Sequence, residues 1–261
     1  MSYPWIDPVI FEIGPLQVRW YGLMYILGFA SAYLVLLYLS RRKHFQIDRK
    51  EIEDLLVYCI VGLLLGARLG YSIFYNLDFY LDNPMRVLAV WEGGMSFHGG
   101  LIGIVIAGLI FSKIRKKSFL MLADMAAVAS PPGLFFGRIG NFINGELYGR
   151  VTDVPWGMVF PGGGPYPRHP SQLYEALLEG VLLFIIMLTM SMKARMRGAL
   201  ISTFLIGYGI ARIFVEFFRE PDAHIGFVVG MLTMGQVLSL FMIAVGVSLL
   251  AWQKIRIGNK R

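Results

Sequence analysis

The sequence is short of charge and almost without cysteine. Charged residues are 16% of its 261 positions and hydrophobic ones 56%, a balance that excludes an ordinary water-soluble domain and calls for a bilayer. Its one cysteine, Cys59, rules out an internal disulfide and sits in an apolar run, where it reads as a small packed hydrophobe. The first nineteen residues have no basic n-region and no small-residue cleavage site but carry Asp7 and Glu12, so no cleaved leader is expected. No repeat of fixed period and no pair of matching halves is visible, which argues against an inverted-repeat transporter. Zinc-ligand spacing, a Walker loop and a Gly-x-Ser-x-Gly elbow are also missing. We therefore expect no metal and no other cofactor.

What is present is a series of apolar runs near the length needed to cross a hydrocarbon core of about 30 Å. Seven occur, at about 21–40, 55–75, 97–112, 120–136, 173–192, 198–217 and 226–252. The fold class expected is an all-α integral membrane protein with seven transmembrane helices, one polytopic domain over residues 1–261, and a small irregular head formed mainly by 76–96 and 137–172.

Lysine is absent from every second connection. Basic residues cluster at Arg41-Arg42-Lys43 with Arg49-Lys50, at Lys113 with Arg115-Lys116-Lys117, at Lys193, Arg195 and Arg197, and at Lys254, Arg256, Lys260 and Arg261. By the positive-inside rule these clusters face the cytoplasm, placing the N-terminus outside and the C-terminus inside. The net charge of +7 is thus a topology signal and not a nucleic-acid surface. The opposite connections carry only arginines: Arg19, Arg86, Arg138, Arg150, Arg168 and Arg219. Residues 3–19 alternate loosely about Gly14-Pro15 and are expected to lie on the membrane as a short amphipathic lead-in to Trp20-Tyr21. Small residues recur every four positions at Gly62, Gly66 and Gly70, at Gly99 and Gly103, at Gly133 and Gly137, and at Gly226 and Gly230. Such spacing lets helices approach closely in lipid.

Ionisable groups within spans are costly and mark function or pairing. Arg68 falls roughly 20 Å into the second span at ~1.5 Å per residue, and Arg212 is at a similar height in the sixth. His98 opens the third span and Arg138 follows the fourth, so four spans deliver polar groups to one depth, that of the outer headgroups. Tyr208, Arg212 and Glu216 share a helix face at i, i+4, i+8; an Arg212–Glu216 ion pair that only closes the bundle remains open beside a binding role, as does internal pairing for Arg68. His98-Gly99-Gly100 begins a helix whose N-terminal N–H groups and positive dipole end invite an anion and disfavour a charged imidazole. A histidine that only caps the helix is the plainer alternative. Asp124 is expected to pair or hydrate at the cytoplasmic end of the fourth span. His44 and His224 fall in turns, and Ser171, after Arg168-His169-Pro170, reads as an N-cap. Residues 137–149, Gly-Arg-Ile-Gly-Asn-Phe-Ile-Asn-Gly-Glu-Leu-Tyr-Gly, crowd Arg138, Asn141, Asn144, Glu146 and Tyr148 among four glycines. Arginine is the residue for planar, bidentate recognition of phosphate.

The 137–149 run, with His98-Gly99-Gly100-Leu101-Ile102-Gly103, the 168–175 run, and Tyr208-Gly209-Ile210-Ala211-Arg212 leading into Glu216-Phe217-Phe218-Arg219-Glu220-Pro221-Asp222, resembles the prolipoprotein diacylglyceryl transferase family. The resemblance extends from Trp20-Tyr21-Gly22 to the last span. It implies a multi-pass enzyme of the bacterial cytoplasmic (inner) membrane with its site toward the outer leaflet. Such an enzyme moves the sn-1,2-diacylglyceryl group of phosphatidylglycerol to the lipobox cysteine of a preprolipoprotein, forms a thioether and releases glycerol phosphate, the first step of lipoprotein maturation. In that family the residues matching Arg138, Arg212 and His98 are tied to activity, and Tyr21, Asn141, Glu146, Gly149 and Tyr208 match other positions of the pattern. Gly99, Asn144, Arg68 and Glu216 complete the candidate binding set. Two rivals stay in view: a membrane lipid phosphatase or phosphotransferase, which would attack phosphorus, and a transporter, which needs polar groups through the full depth of the bundle.

Overall fold

The computed structural model describes residues 1–14, 16–89, 93–193, 196–220, 227–230 and 232–258. Of the positions singled out above, Pro15, Arg195, Pro221, Asp222, His224, Gly226, Lys260 and Arg261 lie outside them. Seven helices among the described residues are long and apolar enough to cross a membrane: Trp20–Ser40, Arg49–Tyr75, Phe97–Ile114, Phe119–Ile143, Ser171–Lys193, Ala199–Glu216 and Met234–Arg256. Only 17% to 44% of each apolar window is buried inside the protein. Most of these side chains therefore face outward, as in a helix that satisfies its own backbone and leaves its flanks to lipid.

Three boundaries differ from the sequence-based expectation. The fourth helix does not stop near 136 but runs through Pro131 and Pro132 to Ile143, so the first half of the 137–149 run is helical. The seventh helix begins at Met234, after a two-stranded hairpin, Phe227–Val229 with Leu232–Thr233, in which Gly230 takes a φ of 59°; Gly230 is a turn residue and not a helix-packing one. The segment expected to lie flat as an amphipathic lead-in is an antiparallel hairpin, Val9–Ile13 with Leu16–Arg19, turned at Gly14 with φ 58°. Its loose alternation was the period of a strand.

The chain packs as two compact units, residues 40–123 and residues 1–39 with 124–261. In the smaller unit, a capping box starts the second helix: Asp48 accepts from the Glu51 N–H at 2.8 Å and Glu51 from the Asp48 N–H at 3.0 Å. Lys117 pairs with Glu51 at 2.8 Å and Arg115 with Asp54 near the same end. The glycine spacing is fully used here. A Cβ on Gly66 would lie 2.3 Å from the Gly99 carbonyl oxygen and one on Gly103 2.0 Å from that of Gly62, so the second and third helices touch backbone to backbone.

In the larger unit the glycine pairing at 133 and 137 is not met in that form. A Cβ on either would reach no atom within 4 Å, although one on Gly28 would sit 3.3 Å from the Gly133 Cα. The close approach is instead between the sixth and seventh helices, where Cβ atoms on Gly209 and Gly246 would each meet a carbonyl oxygen, of Ser239 and Ser202, at 2.9 Å. At one end of this unit the head is tied together from distant segments. The Met1 amine donates to the Gly157 carbonyl at 2.6 Å, and the Tyr3 hydroxyl approaches the carbonyls of Phe142 and Ile143 at 2.6 and 2.7 Å, closing the fourth helix. Burial of Tyr3 raises its phenol above the usual range.

Asp124, fully buried, has a structural task in this unit. Its carboxylate accepts the Gly198 N–H at 2.5 Å and the Ile201 N–H at 2.9 Å. It thereby caps the sixth helix, whose own first flanking residue, Gly198, has no side chain to do so. Asp124→Ala is expected to cost about 2 kcal/mol, at the upper end of cap losses because the orphaned donors are buried. A detergent melting curve checks it, with Asp124→Asn recovering part of the loss.

Candidate active site

The site is built where three helices of the larger unit bring charge to one end. Arg138 and Asn141 stand in the last turns of the fourth helix. Beyond Ile143 the chain reverses through Gly145 and Leu147, both with positive φ, at 65° and 57°. The second is an uncommon conformation for a residue with a side chain. The reversal returns Glu146 to the helix end: its N–H donates to the Asn141 carbonyl at 3.1 Å, and its carboxylate oxygen Oε1 accepts from the amides of Asn141 at 2.9 Å and Asn144 at 3.3 Å. Arg138 joins this chain through Nη1, 3.4 Å from the Asn141 amide oxygen. The tight, glycine-rich run thus serves to hold one arginine and three polar partners in register. Tyr21, from the first helix, lies beside it, with its ring 3.0 Å from where a Cβ on Gly140 would be.

The fifth helix contributes two carboxylates that the sequence pattern did not single out, Glu175 and Glu179. Both are fully buried. From Ala176 to Leu182 this helix is wound as a π-helix, a local geometry often found at functional sites. Gly180 allows the wound segment to press on Phe135, where a Cβ would come within 2.6 Å of the Phe135 Cβ. The signal was available: two glutamates four apart inside an apolar span. It was masked by their closeness to the polar 168–172 run.

The sixth helix presents Tyr208, Arg212 and Glu216 as the i, i+4, i+8 spacing predicts. Arg212 donates from Nη1 to Glu175 Oε2 at 2.7 Å, stands 3.8 Å from Glu179 Oε1, and reaches Glu216 Oε2 at 3.2 Å through Nη2. Arg138 Nη2 meets the same Glu175 Oε2 at 2.7 Å. One carboxylate oxygen therefore bridges two guanidiniums from different helices. Thr233 donates to Glu216 Oε1 at 3.1 Å, and Tyr208 lies within electrostatic reach of Glu179, Arg212, Arg138 and Glu175. The ion pair expected between Arg212 and Glu216 is present, but as one edge of a larger cluster. Two cations face three carboxylates.

The remaining candidate residues have different employment. Gly149 lies where the head crosses itself: its N–H donates to the His169 carbonyl at 2.8 Å, and a Cβ would be 2.3 Å from the Phe218 oxygen. Arg168 binds the Gly163 carbonyl at 2.8 Å and Glu220 at 2.7 Å. Burial pushes the His169 imidazole below its usual range, against an opposing pull from Asp153, and its Nδ1 is 3.1 Å from the Tyr174 hydroxyl. Ser171 is the first helical residue and not an N-cap; its hydroxyl donates to the Leu147 carbonyl at 3.0 Å.

His98, Gly99 and Arg68 belong to the smaller unit. His98 is exposed, with its ring edge-on to Phe97. The helix N-terminus there is not open as expected: Ser96 caps it, accepting the Gly99 N–H at 3.3 Å, and Gly99 and Gly100 are buried against the second helix. These glycines serve packing. Arg68, 2% exposed, donates to the carbonyls of Val87 at 2.9 Å, Arg86 at 2.6 Å and Gly93, and lies over the Tyr80 ring. Its guanidinium anchors the backbone at 86, 87 and 93, which is the internal pairing that the sequence left open.

A family model described as prolipoprotein diacylglyceryl transferase matches residues 8–252. A protein of Geobacter sulfurreducens named phosphatidylglycerol–prolipoprotein diacylglyceryl transferase is 52% identical over 249 residues, 95% of this chain and 96% of the other. Proteins of the same name from Coxiella burnetii and Idiomarina loihiensis are 54% and 51% identical, each over 97% of this chain and over 97% and 95% of their own lengths.

Proposed function

The chain belongs to the prolipoprotein diacylglyceryl transferase family, and from that premise we propose how its residues carry out the transfer. It is a transferase that moves the diacylglyceryl group of phosphatidylglycerol to a prolipoprotein, and it is a multi-pass membrane protein. The observation that carries the mechanism is the bridged oxygen of Glu175, held at 2.7 Å by both Arg138 and Arg212. Two guanidiniums aimed at one oxygen form a ready position for a single anionic group. A lipid phosphate is such a group, and each arginine has further N–H donors to give it.

The acceptor in this reading is the lipobox cysteine. Its sulfur forms a bond to the terminal glycerol carbon of the diacylglyceryl group while the carbon–oxygen bond to phosphate breaks. The bonding pair leaves with the phosphate oxygen, and the thiol proton passes to a base. Arg138 and Arg212 stabilise the charge that grows on the departing phosphate, in a site dry enough for that to count. Asn141, Asn144 and Glu146 fix Arg138; Tyr208 and Glu216 flank Arg212; Tyr21 packs beside Gly140 on the Arg138 helix. Both substrates supply their own reactive groups, so the reaction needs no metal or nucleotide. The lysine-free connections support a site facing the outer leaflet of the bacterial cytoplasmic membrane.

A free thiol has a pKa of about 8.5 and attacks as thiolate, so the transfer calls for a base, for which His98 is the first candidate and a glutamate or tyrosine the second. His98→Gln is expected to lower kcat about a hundredfold at neutral pH and to regain activity as the pH rises and the thiol ionises unaided. Wild-type turnover at neutral pH removes His98 from the role. The reading as a whole is tested by mixing purified protein, phosphatidylglycerol and a one-cysteine lipobox peptide and weighing the peptide. A diacylglyceryl adduct is expected. Lipid breakdown with the peptide unmodified would instead favour a phosphatase.

A further inference from the structure

Glu179 is the member of the cluster held least, at the edge of ion-pair range from one arginine. It is fully buried, and neither carboxyl oxygen has a hydrogen-bond partner among the described residues. Its nearest cation, the Arg212 guanidinium, is 3.8 Å from Oε1, beyond hydrogen-bond range, and that guanidinium already serves Glu175 and Glu216. The charged groups facing Glu179 are Glu175 on its own helix, Arg212, Glu216 and the Tyr208 phenol on the sixth, and Arg138 on the fourth. With all three carboxylates ionised against two arginines the cluster carries one net negative charge. A phosphodiester anion would bring it to two, in a place where an uncompensated buried charge is strongly disfavoured.

We infer that Glu179 is a positioning residue that takes up a proton when the lipid phosphate binds between Arg138 and Arg212. The inference rests on the phosphate reading of those arginines. The proton comes from water, no bond to carbon or phosphorus changes, and the cluster returns to its earlier net charge. Glu175 and Glu216 are poorer acceptors of that proton, since each has an ion-paired oxygen and Glu216 also accepts from Thr233. Glu179 has no hydrogen bond to lose among the described residues, and its contact with Arg212 is the longest of the three, at 3.8 Å. Glu179 also lies within the segment from Ala176 to Leu182 that is wound as a π-helix, a geometry often found at functional sites.

By linkage, proton uptake on binding makes binding weaken as pH rises. The wild-type KM for phosphatidylglycerol, at saturating lipobox peptide, is expected to climb on the alkaline side with a slope approaching about tenfold per pH unit. The protein in weakly buffered detergent should withdraw close to one proton per dioleoyl phosphatidylglycerol bound, read with a pH-indicator dye. Glu179→Gln should abolish both the uptake and the slope of KM, and Glu179→Asp, which keeps a carboxyl, should restore them. Transfer to the peptide with no proton uptake on lipid addition, or a Glu179→Gln variant that keeps the wild-type slope, overturns the inference and leaves the transferase reading standing. Uptake that disappears in Glu179→Gln while the wild type never modifies the peptide would support the inference and sink the cysteine-transfer mechanism instead.

Discussion

Arg212→Ala is expected to abolish diacylglyceryl transfer, with kcat/KM falling at least about a thousandfold, the loss expected for a donor that stabilises charge on a leaving group. The reason lies in the geometry. Arg212 contacts Glu175 at 2.7 Å, Glu216 at 3.2 Å and Glu179 at 3.8 Å, so its removal takes away one half of the proposed phosphate cradle and leaves three buried carboxylates facing Arg138 alone. Arg138→Ala should lose transfer to a similar degree with less damage to the fold, because among the described residues Arg138 pairs with one carboxylate, Glu175. The two variants can be told apart by melting temperature while they agree in activity. Arg212→Lys sharpens the test. A lysine keeps the charge but not the planar fork that spans Glu175 and Glu216 at once, so most of the activity should stay lost. Peptide mass after incubation with phosphatidylglycerol measures transfer, and membrane extraction of each variant shows that it still inserts. Near-normal transfer by either alanine variant would refute the phosphate role of that arginine.

How much of this was legible in the sequence depended on whether the signal was periodic or sustained. The seven spans were legible, because an apolar run of bilayer length would be insoluble as the surface helix of a water-soluble domain. The four-residue glycine spacing at 62, 66, 70, 99 and 103 was as well, and it corresponds to the closest backbone contacts in the smaller unit. Tyr208, Arg212 and Glu216 were found together because a helix places i, i+4 and i+8 on one face. The fourth helix was cut short at 136 because hydropathy falls there, yet hydrogen bonding carries it on to Ile143 with polar side chains turned toward the cluster. Hydropathy measures the solvent of a residue and not its backbone. Glu175 and Glu179 carried a local signal, two glutamates four apart in an apolar span, but not the identity of their partners. Their meaning comes from Arg138 and Arg212, which are far away in sequence, and nothing local shows that one Glu175 oxygen will sit between both. At Asp124 the sequence suggested pairing or hydration, and the structure instead has it cap the start of a helix more than seventy residues on.

Glu175→Ala should be the variant most damaging to the fold among the acidic residues of the cluster. Glu175 is fully buried and its Oε2 is the shared partner of Arg138 and Arg212, at 2.7 Å from each. Alanine leaves two guanidiniums, 19% and 12% exposed, repelling one another without the bridge. Breaking a buried pair from one side costs about 3–5 kcal/mol, and here one deletion breaks two. Transfer should be lost with it. Glu175→Gln separates charge from shape: an amide oxygen can still accept from one arginine, so the protein should fold, and the cluster loses one negative charge. Two effects then act in opposite directions. A lipid phosphate no longer competes with a resident carboxylate for the arginines, so KM for phosphatidylglycerol should fall. The arginines are less tightly held in parallel, so kcat should fall too, because misplacement of about 1 Å can cost a hundredfold. Steady-state kinetics at saturating peptide, with a detergent melting curve beside it, reads both. A Glu175→Ala protein that melts and turns over like the wild type would mean that the bridge between the two arginines does not organise the site.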